Sequence, residues 1–170
     1  AGLRSFDRTM REEINRVLTD QIANLLFTPS EDADRNLLRE GVPSEKIHRV
    51  GNVMIDTLVR LLPQAEDNPI LARLKLNSDR PYVLVTLHRP SNVDDSLMLA
   101  SIMETLSEIS QDLPVIFPVH PRTRQRLKNL RLSETSLNLY LTEPVGYLDF
   151  LALQKHATVV VTDSGGVQEE

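Results

Sequence analysis

The sequence predicts an α/β fold organised around a parallel sheet, on three observations. Apolar runs of four to six residues alternate with helical stretches of ten or more, the runs are unbroken, and each closes on a polar or glycine residue. Strands covered on both faces read as unbroken apolar runs, and parallel neighbours need a crossover that is usually a helix. In chain order, Ile14, Val17, Leu18, Ile22, Leu25 and Leu26 recur at three- and four-residue steps and predict a helix over about 10–26. Thr9 and Glu12 have capping-box spacing at its start. Ser30 is placed to cap a second helix, with Glu31 and Asp32 in its first turn, Arg39 near its end and Gly41 stopping it. A short strand at 47–50 leads through Gly51-Asn52 into a helix ending near Leu62. The stretch 63–81 carries three prolines and reads as a surface excursion around a short helical piece. Strands follow at 82–87, 115–119, 137–141 and 158–162, separated by helices near 96–109, 123–130 and 147–156.

Composition narrows the function. A chain of 170 residues with 41% hydrophobic and 25% charged residues can bury a sizeable core and is neither disordered, collagen-like nor a coiled coil. A net charge of −5 argues against holding nucleic acid or an anionic membrane by bulk charge, so an anion must be bound locally. Without cysteine there is no disulfide framework, thiolate metal site or thiol nucleophile, which suits a cytoplasmic protein. No apolar run approaches the ~20 residues of a membrane span, no signal peptide is expected, and no metal-ligand spacing appears. The chain opens on Ala1 and stops just after a loop-to-helix signal, so a piece of a longer protein is expected.

In an open parallel sheet, ligands bind outside the carboxyl ends of the strands. Here Val50 leads into Gly51-Asn52, Leu87 into His88-Arg89, Val119 into His120-Pro121, and Thr162 into Asp163-Ser164-Gly165-Gly166. Each histidine alone is what a half-exposed loop residue looks like, but two of the chain's four fall at this one edge with an arginine and a Gly-Gly turn. Gly165 and Gly166 let backbone approach a ligand closely, and the N–H groups opening the next helix favour an anion such as phosphate. The motif is neither a P-loop nor a G-x-G-x-x-G fingerprint, and a simple turn accounts for it equally well.

Arg122, Arg124, Arg126, Lys128 and Arg131 form a basic run without interleaved aromatics, which reads as a solvated helix face rather than a nucleic-acid site. Glu12 and Glu13 are either acid–base carboxylates or simple caps. Phe150, one of seven aromatics, is either core or a ring offered to a flat ligand.

Six segments in order resemble the motifs of the non-hydrolysing UDP-N-acetylglucosamine 2-epimerase family. They are Ala1-Gly2-Leu3-Arg4, Glu12-Glu13-Ile14-Asn15-Arg16, Gly51-Asn52-Val53-Met54-Ile55-Asp56, Thr86-Leu87-His88-Arg89, Pro118-Val119-His120-Pro121, and Thr162-Asp163-Ser164-Gly165-Gly166-Val167-Gln168-Glu169-Glu170. The resemblance implies two Rossmann-like domains in the glycosyltransferase-B arrangement, both incomplete in this chain. Residues 1–50 would be the C-terminal half of the first, and 51–170 most of the nucleotide-sugar-binding second. It implies a nucleotide sugar as partner, no cofactor, no metal, and a homodimer of the full-length protein.

The resemblance further implies epimerisation at C2 through loss and re-addition of UDP, in service of surface polysaccharide precursors. Glu12 matches a catalytic carboxylate and His88 the histidine near the departing phosphate. Ser164, Gly165 and Gly166 match the diphosphate loop, Glu170 the ribose acid, Phe150 the ring against uracil, and Val145 the main chain at the uracil edge. His120 and Arg89 fall where some members bind an activating second substrate molecule. The chain departs from many members at Arg11, where they have Pro, and at Pro90-Ser91, where they have Arg-Glu. The 170 residues by themselves are expected not to turn over substrate. A UDP-sugar glycosyltransferase of the same architecture, a hydrolysing 2-epimerase and a non-catalytic binding module are the alternatives.

Overall fold

The computed structural model describes residues 1–76, 80–129 and 138–170, which form two compact units, Ala1–Thr57 and Leu58–Glu170. Both are α/β with parallel strands, the predicted class.

The first unit holds α1 (Arg11–Ile22), β1 (Leu26–Thr28), α2 (Glu31–Arg39), a 3-10 turn at Ser44–Lys46, and β2 (Ile47–Arg49). β1 and β2 pair in parallel with Leu26 opposite Ile47. Its apolar core is small: Leu26, Leu37 and Val42, with Ala23 and Ile47 against them. Ion pairs supplement it, since the Arg4 side chain, only 1% exposed, reaches buried Asp20 and the more exposed Glu40, each at 2.8 Å. The two carboxylates, Glu40 foremost, hold the guanidinium protonated against its burial and raise its pKa above the ordinary range. Gly2 is obligatory, because its φ is +78° and a Cβ there would sit 2.4 Å from the Ala33 carbonyl oxygen. The Ser30 side chain accepts the Ala33 N–H at 3.4 Å, and α2 closes at Gly41 with φ +83°, both as expected.

Two expectations for α1 are corrected. The helix ends at Ile22, and Leu26 instead opens β1, where pairing with the Ile47 strand leaves it 1% exposed. Leu25 and Leu26 fit the helical step by coincidence. The capping box is absent too: Asp7 Oδ1 takes both the hydroxyl (2.6 Å) and the N–H (2.9 Å) of Thr9, so Met10 becomes the N-cap, without a side-chain bond. That shift moves the acid at the third helical position from Glu12 to Glu13. The Glu13 carboxylate accepts the N–H groups of Ser5 at 3.0 Å and Phe6 at 3.1 Å, and bonds Arg16 at 3.1 Å.

The second unit takes the C-terminal part of α3 (Val53–Glu66) and then α4 (Ile70–Arg73), β3 (Val83–Thr86), α5 (Pro90–Val93), α6 (Ser96–Ile109) and β4 (Val115–Pro118). It continues through α7 (Pro121–Asn129), β5 (Leu139–Thr142), α8 (Tyr147–His156), β6 (Val159–Thr162) and α9 (Gly165–Glu169). Pro63 lies within α3 rather than ending it, in a last turn anchored by fully buried Ala65. The single turn α5 was not expected. Leu130, Arg131 and Leu137 lie outside the described residues.

The sheet runs β5-β4-β3-β6, all parallel. Strand pleating sends Val83, Val85, Val115 and Phe117 into one cluster with Leu99, Met103, Leu106 and Leu127 of α6 and α7. Leu84 and Ile116 point the other way, against Ala65, Ile70 and Leu151–Leu153 of α3, α4 and α8. Helices therefore cover both faces, which is why the strands read as unbroken apolar runs. Among the described residues, no helix is long and apolar enough to cross a membrane.

Candidate active site

The strand order fixes where this sheet can hold a ligand. From β3 the chain steps to β4 and β5 on one side, then returns to place β6 on the other side of β3. That reversal is a topological switch point, and in open parallel sheets ligands bind in the crevice beyond the carboxyl ends of such strands, here β3 and β6. The β3–β6 register runs from Val83 opposite Val159 to Thr86 opposite Thr162. His88 and Ser164, each two residues further on, therefore emerge at the same level.

Asp163 holds the crevice together. Its carboxylate accepts the His88 N–H at 3.1 and 3.0 Å, the Arg89 N–H at 2.8 Å and the Asn92 amide at 2.9 Å. His88 Nδ1 lies 2.7 Å from Oδ1. The acid's side chain is 8% exposed and the imidazole 64%, so a buried anchor carries an accessible ring. Burial pushes the Asp163 carboxyl up, but the bonds from Arg89, Asn92 and His88 outweigh it and hold its pKa below the ordinary value.

Beside this pair the chain turns into α9. The Ser164 side chain accepts the Val167 N–H at 3.5 Å and its own N–H donates to Thr162 Oγ1 at 3.0 Å. Gly165 and Gly166 are the first helical residues, whose N–H groups no carbonyl of the helix can reach. A Cβ added at Gly165 would meet nothing within 4 Å, so the backbone there faces open space. Glu170 accepts the Tyr147 hydroxyl at 2.9 Å, and burial together with that carboxylate raises the phenol's pKa. Phe150 and Val145 are half-buried and pack against the cluster containing Tyr82 and Leu151. Arg89 and His120 are exposed at the ends of β3 and β4, with His120 Nδ1 accepting the Arg122 N–H at 3.3 Å.

The basic run is not a freely solvated face. Arg122 and Arg126 both pair with Asp94, at 2.8 and 3.2 Å, and Arg124 donates to the Leu141 and Thr142 carbonyls at 3.0 and 2.6 Å. These arginines tie α7 to the loop after α5 and to the end of β5.

In the first unit, Glu12 is exposed on the first turn of α1, and its carboxylate has no protein partner among the described residues. It lines an open hollow of about 510 Å³ with Ala1, Leu3, Asn15, Arg16, Thr19 and Asp20. Glu13 is instead 4% exposed and structural, its carboxyl held below the usual range first by the Ser5 N–H. Among the described residues no group of three or more His, Cys, Asp or Glu side chains is placed to hold a metal ion.

The family profile of UDP-N-acetylglucosamine 2-epimerase matches residues 1–170. The chain belongs to the UDP-N-acetylglucosamine 2-epimerase family. It is 50% identical over 178 residues to the UDP-N-acetylglucosamine 2-epimerase of Methanocaldococcus jannaschii, matching all of this chain and 48% of that protein. It is 44% identical over 173 residues to UDP-2,3-diacetamido-2,3-dideoxy-D-glucuronate 2-epimerase of Pseudomonas aeruginosa, covering 100% of this chain and 47% of the relative. The crystal structure of the M. jannaschii enzyme in complex with UDP-GlcNAc and UDP superposes with a TM-score of 0.85 at 48% identity, over 99% of this chain and 48% of that one. The chain thus spans about half the length of the relatives it matches. Asp163, named from the sequence only as part of its strand-end motif, and Asn92, which lies outside all six motif segments, are the residues of the crevice that the sequence did not single out. The signal for Asp163 was its place at a strand end, but its partnership with His88 depends on β6 lying next to β3.

Proposed function

We propose that the whole protein inverts C2 of UDP-N-acetylglucosamine, giving UDP-N-acetylmannosamine by elimination and re-addition of UDP. A base removes the C2 proton, the C–H pair becomes the C1=C2 double bond of a glycal, and the C1–O pair leaves with UDP. Re-addition of UDP at C1, with protonation of C2 from the opposite face, completes the inversion. Such a step needs a carboxylate at C2 and donors that take up charge on the departing diphosphate. Glu12, exposed and unpartnered, is our candidate for the first role, and His88 for the second. Ser164, Gly165 and Gly166 would cradle the diphosphate, Glu170 would bond the ribose, and Phe150 with the Val145 main chain would receive uracil.

The observation that carries the reading is the switch-point crevice, where the imidazole of His88 and the unfilled N–H groups of Gly165 and Gly166 open from neighbouring strands in a chain of this family. The more identical of the two relatives is named for the N-acetylglucosamine nucleotide, which favours that sugar over the diacetamido uronate. We expect a homodimer whose product feeds surface polysaccharide synthesis. Incubating the full-length protein with UDP-N-acetylglucosamine in deuterated water is expected to place deuterium at C2 with the UDP-sugar intact. Release of free N-acetylmannosamine, transfer to an acceptor, or binding without exchange would contradict it and point to one of the alternatives.

A further inference from the structure

We propose that Asp163 is a positioning residue that keeps a proton on Nδ1 of His88, so that Nε2 is the nitrogen that takes up a proton from solvent and, as its N–H, donates to the diphosphate oxygen at the sugar. This rests on the reading of His88 given above and adds the group that sets its state. An ionised carboxylate only accepts, so a 2.7 Å approach of Nδ1 to Oδ1 puts the proton on Nδ1. The neutral ring then has one lone pair, on Nε2. An exposed histidine free in water favours the opposite tautomer, so the contact reverses the ring's own preference and which nitrogen is protonated follows from the bond the other makes.

The acid is equipped to do this without moving. Oδ1 receives His88 twice, through backbone and ring, while Oδ2 receives His88 N–H, Arg89 N–H and the Asn92 amide. Three of these donors belong to the segment that carries the ring, so the carboxylate fixes loop and imidazole together. An asparagine at 163 would turn one acceptor oxygen into a donor facing those N–H groups.

The test is long-range 1H–15N correlation on the full-length protein labelled with 15N-histidine, at a pH where the ring is neutral, with His88→Gln identifying the signal. The expected result is a protonated, pyrrole-like Nδ1 and an unprotonated Nε2, changing to the Nε2–H tautomer in Asp163→Asn. Asn92→Ala, which removes a partner of the acid but not of the ring, should leave the wild-type pattern. In turnover, Asp163→Asn should lower kcat for C2 exchange roughly 10- to 100-fold, the size of effect that losing an orienting partner has elsewhere, with UDP affinity within about twofold. An Nε2–H ring in the wild type overturns the proposal, even if Asp163→Asn fails to fold. An unchanged kcat in a folded Asp163→Asn overturns it as well. Correct tautomers in a wild type that shows no C2 exchange would instead overturn the proposed reaction and leave the role of Asp163 in setting the ring supported.

Discussion

The two units solve the problem of staying folded by different means. The second surrounds a four-stranded parallel sheet with two apolar clusters, so that Leu84, Val85, Val115, Ile116 and Phe117 are almost fully buried. The first has two short strands and four buried apolar residues, Leu26, Ala33, Leu37 and Val42, and it relies on Arg4 between Asp20 and Glu40 and on Glu13 beneath the Ser5–Phe6 backbone. Its helix α1 exposes Ile14, Leu18 and Ile22 at 45%, 59% and 83%. An apolar sheet gives a rigid edge on which a crevice can be built, whereas a polar framework makes stability depend on a few charged groups and on pH.

The contrast can be broken by substitution. Phe117→Ala should cost the most, about 3–5 kcal/mol by chemical denaturation, because it opens a cavity between β4 and its covering helices. Arg4→Met should cost about 3 kcal/mol by leaving Asp20 buried without its cation. Glu13→Gln should lower the melting temperature at neutral pH by an amount that shrinks on acidification. The Glu13 carboxyl is depressed below its ordinary 4.5, so its contribution is fully present above that value and is lost as pH falls through the lower folded one. A gap that does not narrow as the pH is taken below 4.5 would show that the charge is not what stabilises. In the 170-residue chain, Leu18→Gln should change stability by less than about 0.5 kcal/mol, since Leu18 is 59% exposed there. If Leu18→Gln cost as much as Phe117→Ala, the distinction between the units would fail.

The same contrast explains what could be read in advance. The apolar runs gave the strands of the second unit to within a residue or two, and α6 and α8 to the residue, because burial on both faces leaves a strong mark. In the first unit the signal was weaker. Leu25 and Leu26 continue the helical step of α1 while the chain has already turned into β1, and Asp7 claims the hydroxyl that the Thr9–Glu12 spacing offered to the helix. In the crevice, His88 and Ser164–Gly166 could be named from strand closures alone. Asp163 could not be given its role, because strand order is a long-range property: only the return of β6 to the side of β3 turns an aspartate of one motif into the partner of a histidine 75 residues away.

The proposed function requires the crevice beyond β3 and β6 to hold a nucleoside diphosphate. Titrating UDP into the 15N-labelled protein tests it most directly. The largest amide shifts should fall on Ser164, Gly165, Gly166 and His88, with smaller ones at Val145 and Glu170. Shifts confined to the hollow lined by Arg122, Gln125 and Arg126, or none at saturating UDP, would contradict it.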